Sequence, residues 1–166
     1  FVEGEGDHDN ESFILDGNLL KINHSPDYEI KSSYQIRLRT TDSTDLTFEK
    51  SFDLYVNNIN YEPTDILLSA SSVDEDIEAN SVVAVISAID PDIGEQHSYQ
   101  LVNGEGDNDN ERFTIDGNLL KINESPRNHQ KSSYNILLKT IDSTGLSYQK
   151  SIRIDVNFVN DQEPTD

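Results

Sequence analysis

The chain has 166 residues, 34% of them apolar, and carries 32 acidic against 12 basic side chains, for a formal net charge of −20. Its length allows one or two domains, and so acidic a surface disfavours nucleic acid and anionic membranes, because phosphate contacts need Lys and Arg. With no Cys there is no disulfide framework, thiolate metal site or Cys nucleophile, and no apolar run approaches the roughly 18 residues of a membrane span. From the start of the chain, "GEGDHDNE" (4–11) reads as a polar turn. Asp7, Asp9, Asn10 and Glu11 have the alternate spacing of a short Ca²⁺ loop, but no bidentate Glu or flanking helix completes it. The other reading is a loop whose Gly, Asn and Asp supply turn geometry. Asp16-Gly17, between two apolar runs, reads as a tight hairpin turn with Gly at positive φ. After it, "KSSYQIRLRTTDST" (31–44) runs into the linker "VNNINYEPTD" (56–65), and Val82, Ala84 and Ile86 alternate with polar or small residues.

The rest of the chain returns to its beginning. Residues 101–160 match 1–60 at 35 of 60 positions without a gap. Asp107 and Asp109 repeat Asp7 and Asp9, Asp116-Gly117 repeats the hairpin turn, and "EPTD" at 62–65 returns at 163–166. Tyr134, Ile136 and Leu138 alternate. In 148–158, Tyr148, Lys150, Ile152, Ile154, Val156 and Phe158 alternate with Gln149, Ser151, Arg153, Asp155 and Asn157. That period of two marks strands with one apolar face, and no window carries a helical stripe. A repeat of about 100 residues with about seven short strands predicts an all-β, Greek-key, immunoglobulin-like sandwich in tandem. The boundary falls at Pro63: 1–62 is expected to be a partial repeat lacking its opening strands, and 63–166 a complete one. A partial sandwich leaves sheet edges and core face exposed. The first unit is then a partial domain on its own or one completed by another chain; the rival is that 66–100 folds back onto the first copy, which the short linker barely permits.

At this point the chain resembles the cadherin-like tandem repeats of extracellular proteins, especially those of large bacterial surface adhesins. The resemblance rests on "VDEDIEANSVVAVISAIDPDIGEQHSYQLV" (73–102), on "FTIDGNLLKI" (113–122), on "TTDST" (40–44) and "TIDST" (140–144), and on the Asn-rich linkers (56–65 and 156–166) that contain Pro63 and Pro164. It implies Ca²⁺ bound between successive domains. Carried over residue by residue, the ligands at the internal junction are Glu29, Asn58, Asn60, Glu62, Asp90, Asp92 and Asp142, with Asp27 as an addition. Glu75 serves the junction that follows and Asp42 the one before. Two departures lower the expected ion count. The linker offers Asn where the family has Asp, and affinity follows ligand charge. Where the first copy has Asp27-Tyr28-Glu29, the second has Arg127-Asn128-His129.

Catalysis is not expected. The four His residues (His8, His24, His97 and His129) read as exposed loop residues, and no glycine elbow frames a Ser. Gly-x-Gly at 4–6 and 104–106 has no helix after it to cradle phosphate. The resemblance therefore points to a calcium-rigidified extracellular module for adhesion or spacing. Its partners would be neighbouring repeats, a homophilic surface, or a cell-surface polysaccharide. The alternatives are a carbohydrate-binding sandwich using Tyr28, Tyr55 and Tyr61, and a metal-free spacer.

Overall fold

The computed structural model describes residues 1–160. The second "EPTD" and the end of the expected 63–166 repeat lie outside them. The chain divides into two compact units, Phe1–Ile59 and Asn60–Asp166. The first holds β1 (Phe13–Asp16), β2 (Leu19–Ile22), β3 (Ser33–Thr41) and β4 (Thr47–Tyr55). The second holds β5 (Asp65–Leu68), β6 (Ser72–Asp74), β7 (Val82–Ile89), β8 (Ser98–Leu101), β9 (Phe113–Asp116), β10 (Leu119–Ile122), β11 (Ser133–Ile141) and β12 (Ser147–Asn157). Among the described residues the only helical pieces are two three-residue 3₁₀ turns, Asn10–Ser12 and Asn110–Arg112, one before β1 and one before β9.

Two four-stranded sheets make the second unit, in the orders β5-β7-β10-β9 and β6-β12-β11-β8. All pairings are antiparallel except β6 with β12. The opening stretch is one run broken after Leu68, so that β5 joins one sheet through β7 and β6 joins the other through β12. Counted separately, these two pieces make eight strands where about seven were expected. Sequence alternation translates directly into burial. Along β12, Ile154 and Val156 are buried while Arg153, Asp155 and Asn157 are exposed. Between the sheets Ile66, Ile86, Leu120, Ile122, Ile136, Leu138 and Ile154 are each at most 1% exposed. Burying a side chain of this size contributes about 1.5–3 kcal/mol. Phe113 and Tyr134 meet edge to face at 5.4 Å.

The first unit repeats the second half of this sandwich. Its β1–β4 correspond to β9–β12 at an offset of 100 residues, and Phe13 and Tyr34 repeat the edge-to-face pair at 5.4 Å. Its strands form two hairpins, β1-β2 and β3-β4. Residues 65–101 pair within the second unit, with β7 on β10 and β8 on β11, and not with the first copy. The hairpin turn differs slightly from the sequence reading. Asp16 pairs with Leu19, so the two loop residues are Gly17 and Asn18, with Gly17 at φ +62° in the first loop position. A glycine there suits the twist of the flanking strands.

Candidate metal centre

One end of the second unit gathers the loop before β5, the turn after β7 and the turn after β11. In the last of these, Asp142 is bound by its own turn. Its Oδ1 accepts from the Thr144, Gly145 and Leu146 amides at 2.7–2.9 Å and from Thr144 Oγ1 at 3.0 Å. Its Oδ2 accepts from Asn60 Nδ2 at 2.8 Å. The residue is 6% exposed. Burial would raise its pKa, but the donors from Asn60, Thr144 and Gly145 outweigh that and hold the carboxyl below its usual value. Asp142 is therefore a fixed anion at the end of the sheet.

The "DPD" turn supplies two more acids. Asp90 Oδ1 accepts from the Asp92 amide at 2.9 Å, and Asp90 Oδ2 from His97 Nε2 at 2.8 Å. The Asp90 and His97 side chains are only 4% and 9% exposed. His97 is thus a buried partner of Asp90, correcting the exposed-loop reading. The turn between them brings the ring back onto Asp90, seven residues earlier, and that hydrogen bond holds it in. Asp92, 8% exposed, accepts from the Tyr61 amide at 2.6 Å. Glu95, which the sequence reading did not single out, completes the group. Its Oε1 accepts from the Ser143 hydroxyl and from the Ser143 amide at 3.3 Å.

Oxygens from Asp90, Glu95 and Asp142 all lie within 4.8 Å of one another. Each carboxylate offers about four lone-pair positions, so the donors named above orient the oxygens without exhausting those of Asp90 and Glu95. The donor set consists of oxygens only, mostly anionic, and lacks sulfur, which fits a hard cation such as Ca²⁺. Like charges this close repel unless a cation or protons offset them.

The other sequence-named residues lie elsewhere or are differently engaged. Glu62 is exposed beside buried Pro63. Glu75 sits at the far end of β12 from Asp142, roughly 33 Å along a ten-step strand. It is 7% exposed and accepts from the Asn128 and Val159 amides at 2.9 and 3.0 Å. Arg127, nearby, pairs with Asp76. In the first unit Asp27 accepts from the Glu29 amide at 2.9 Å, Glu29 is half-buried and Asn58 is exposed. Asp42 repeats the Asp142 turn, accepting from Thr44 and Leu46. Those bonds from Thr44, then Leu46, hold its carboxyl below the usual value.

The two "GEGDxDNE" loops are straps. Asp7 and Asp107 accept from the Gly4 and Gly104 amides at 2.9 and 3.0 Å. Asp9 accepts from Lys31 Nζ at 2.5 Å and the Gln35 amide at 2.8 Å; Asp109 does the same with Lys131 and the Asn135 amide. Asn10 and Asn110 each bridge two segments, donating to the Val2 or Val102 carbonyl and accepting from the Arg37 or Leu137 amide. Of the two readings of this loop, the geometry favours the turn. Both oxygens of Asp9 and of Asp109 are held by structural donors.

No protein-family profile matches the chain. Solved structures do. Protocadherin gamma B2 extracellular cadherin domains 3–6 align at a TM-score of 0.68 and 21% identity, over 98% of this chain and 40% of theirs. Human protocadherin-24 EC1-2 aligns at 0.68 and 19%, over 92% and 79%. Human mucin-like protocadherin EC1-2 aligns at 0.62 and 21%, over 89% and 78%. The chain spans about two fifths of the length of the first of these. The fold is the cadherin-like β-sandwich. No helix among the described residues is long and apolar enough to cross a membrane.

Proposed function

We propose that this chain is a calcium-binding, calcium-rigidified extracellular repeat module that serves adhesion or spacing in a surface protein, and that it is not catalytic. The observation that carries the reading is the convergence of Asp90, Glu95 and Asp142 oxygens within 4.8 Å at one end of a cadherin-like sandwich. Asp92 and Asn60, hydrogen-bonded into the same turns, belong to the proposed set. Glu29, Asp27, Asn58 and Glu62, with Glu75 and Asp42 for neighbouring repeats, stay in it on the sequence resemblance alone. The tandem copies, the acidity and the division into a partial repeat (1–62) and a complete one (63–166) suit a long array of the bacterial surface kind.

Bound Ca²⁺ would neutralise the clustered carboxylates and tie three loops together, stiffening that end of the domain. Calorimetric titration tests this. CaCl₂ is expected to bind the wild-type chain saturably, and Asp90→Asn is expected to weaken binding at least tenfold, because affinity follows ligand charge. Heat changes no larger than those of the Asp90→Asn chain would overturn the reading.

A further inference from the structure

The turn after β8 holds the chain's one Asn-Gly pair, Asn103-Gly104. The Asn103 side chain is exposed and makes no hydrogen bond to any described residue. Gly104 has no side chain to screen its nitrogen, and at φ +155° a Cβ there would stand 2.9 Å from Leu137 Cδ2. A free carboxamide beside an unhindered peptide nitrogen is an electrophile and a nucleophile already held together. The Gly104 amide also donates to Asp107 Oδ2 at 3.0 Å, so a carboxylate sits on the proton of that nitrogen. The first copy has the same turn and the same bond, Gly4 to Asp7 at 2.9 Å, but Glu3 in place of Asn103. The two Asp-Gly hairpin turns differ again. Asp16 and Asp116 are bound by Lys21 and Lys121, and an ionised carboxylate is a poor electrophile.

We propose that Asn103 is a self-modification site, at which the Gly104 nitrogen attacks the Asn103 carboxamide with Asp107 as the base. The bond from that nitrogen to Asn103 Cγ closes a succinimide ring as the Gly104 proton passes to Asp107. The Cγ–Nδ2 bond then breaks, and Asp107 returns the proton to the departing ammonia. Water opens the ring on one side or the other, leaving aspartate or, with the main chain rerouted through Cγ, isoaspartate. No other reactant enters. The aspartate product resembles the first copy, which carries an acid at Glu3. The isoaspartate product does not, because it adds a methylene to the main chain where both neighbours are pinned. Val102 donates to the Leu137 carbonyl at 3.1 Å and accepts from Asn110 at 2.8 Å, and Gly104 is tied to Asp107 through both its amide and its carbonyl. The strap of the second unit is therefore weakened with age, and that of the first is not.

The test ages the full chain at neutral pH, cleaves it after glutamates and follows the 96–105 fragment, whose only Asn is Asn103, by chromatography and mass spectrometry. The fragment is expected to give way to two products of equal mass, each heavier by the exchange of an amino group for a hydroxyl, with isoaspartate in excess. The folded wild-type chain should convert roughly tenfold faster, or more, than the same chain unfolded in urea. Asp107→Asn, whose carboxamide oxygen can still accept the Gly104 amide but cannot take its proton, should slow conversion in the folded chain by a similar factor. Ageing should lower the thermal midpoint of the wild type and leave that of Asn103→Gln in place. A fragment that converts in urea but stays intact in the folded chain would overturn the proposal, and this comparison stands even if Asp107→Asn does not fold. Equal rates in a folded Asp107→Asn chain, or an equal loss of midpoint in Asn103→Gln, would overturn it too.

Discussion

Asp142 owes its ionisation to position more than to composition. It follows the last residue of β11, and the tight turn behind it turns three amides and a hydroxyl onto one oxygen. A group with a depressed native pKa stabilises the fold above its unfolded value, near 3.8, and loses that contribution as pH falls through the lower native value. Asp65 follows the same rule. Lys150 holds its carboxyl down by a hydrogen bond, then the Ile66 amide does. The thermal midpoint is therefore expected to fall as pH drops below about 4, and Asp142→Asn should flatten that acid limb. An unchanged limb in the variant would contradict the assignment. Asp142 was legible through the resemblance, whose strand-end Asp motif matches "TTDST" (40–44) and "TIDST" (140–144). Glu95 was not, because its approach to Ser143 depends on how two turns meet across 48 residues, and no periodicity encodes that. His97 escaped for a local reason: whether the intervening turn brings its ring back onto Asp90, seven residues earlier, is set by backbone geometry that the spacing does not show.

At the scale of elements, the strap loop shows how an acidic motif can be structural. Asn110 joins β11 to the end of the β8 connection through two hydrogen bonds near 2.8–2.9 Å. Asn110→Ala should cost about 1–3 kcal/mol by leaving part-buried backbone groups unpaired, measured by urea unfolding. Gly106 is a second lever. It holds φ +99°, and a Cβ there would run into Ser151 Oγ. Gly106→Ala should destabilise the unit by about 1–3 kcal/mol, and a neutral result would mean the loop relaxes at no cost. Strand positions were readable from alternation, as along β12. The break between β5 and β6 was not, since "ILLSASSV" (66–73) carries no breaker and the change of sheet depends on tertiary pairing.

For the whole molecule, the internal repeat explains most of the architecture. One half-sandwich sequence occurs twice, and the intervening 65–101 segment pairs with the second occurrence. The acidity is concentrated where the fold can use it, in straps and strand-end turns. The proposed Ca²⁺ site, clustered oxygens at one end of the two-sheet sandwich, is expected to stiffen it when filled. The most direct measurement is the thermal unfolding midpoint of the full chain in EDTA, in millimolar CaCl₂ and in matched MgCl₂. A ligand binding only the folded state adds about 2.7 kcal/mol at a hundredfold excess over its Kd. A rise of several degrees is expected with Ca²⁺, little with Mg²⁺, and none in Asp142→Asn. A midpoint indifferent to Ca²⁺, or an equal rise in the variant, would contradict it.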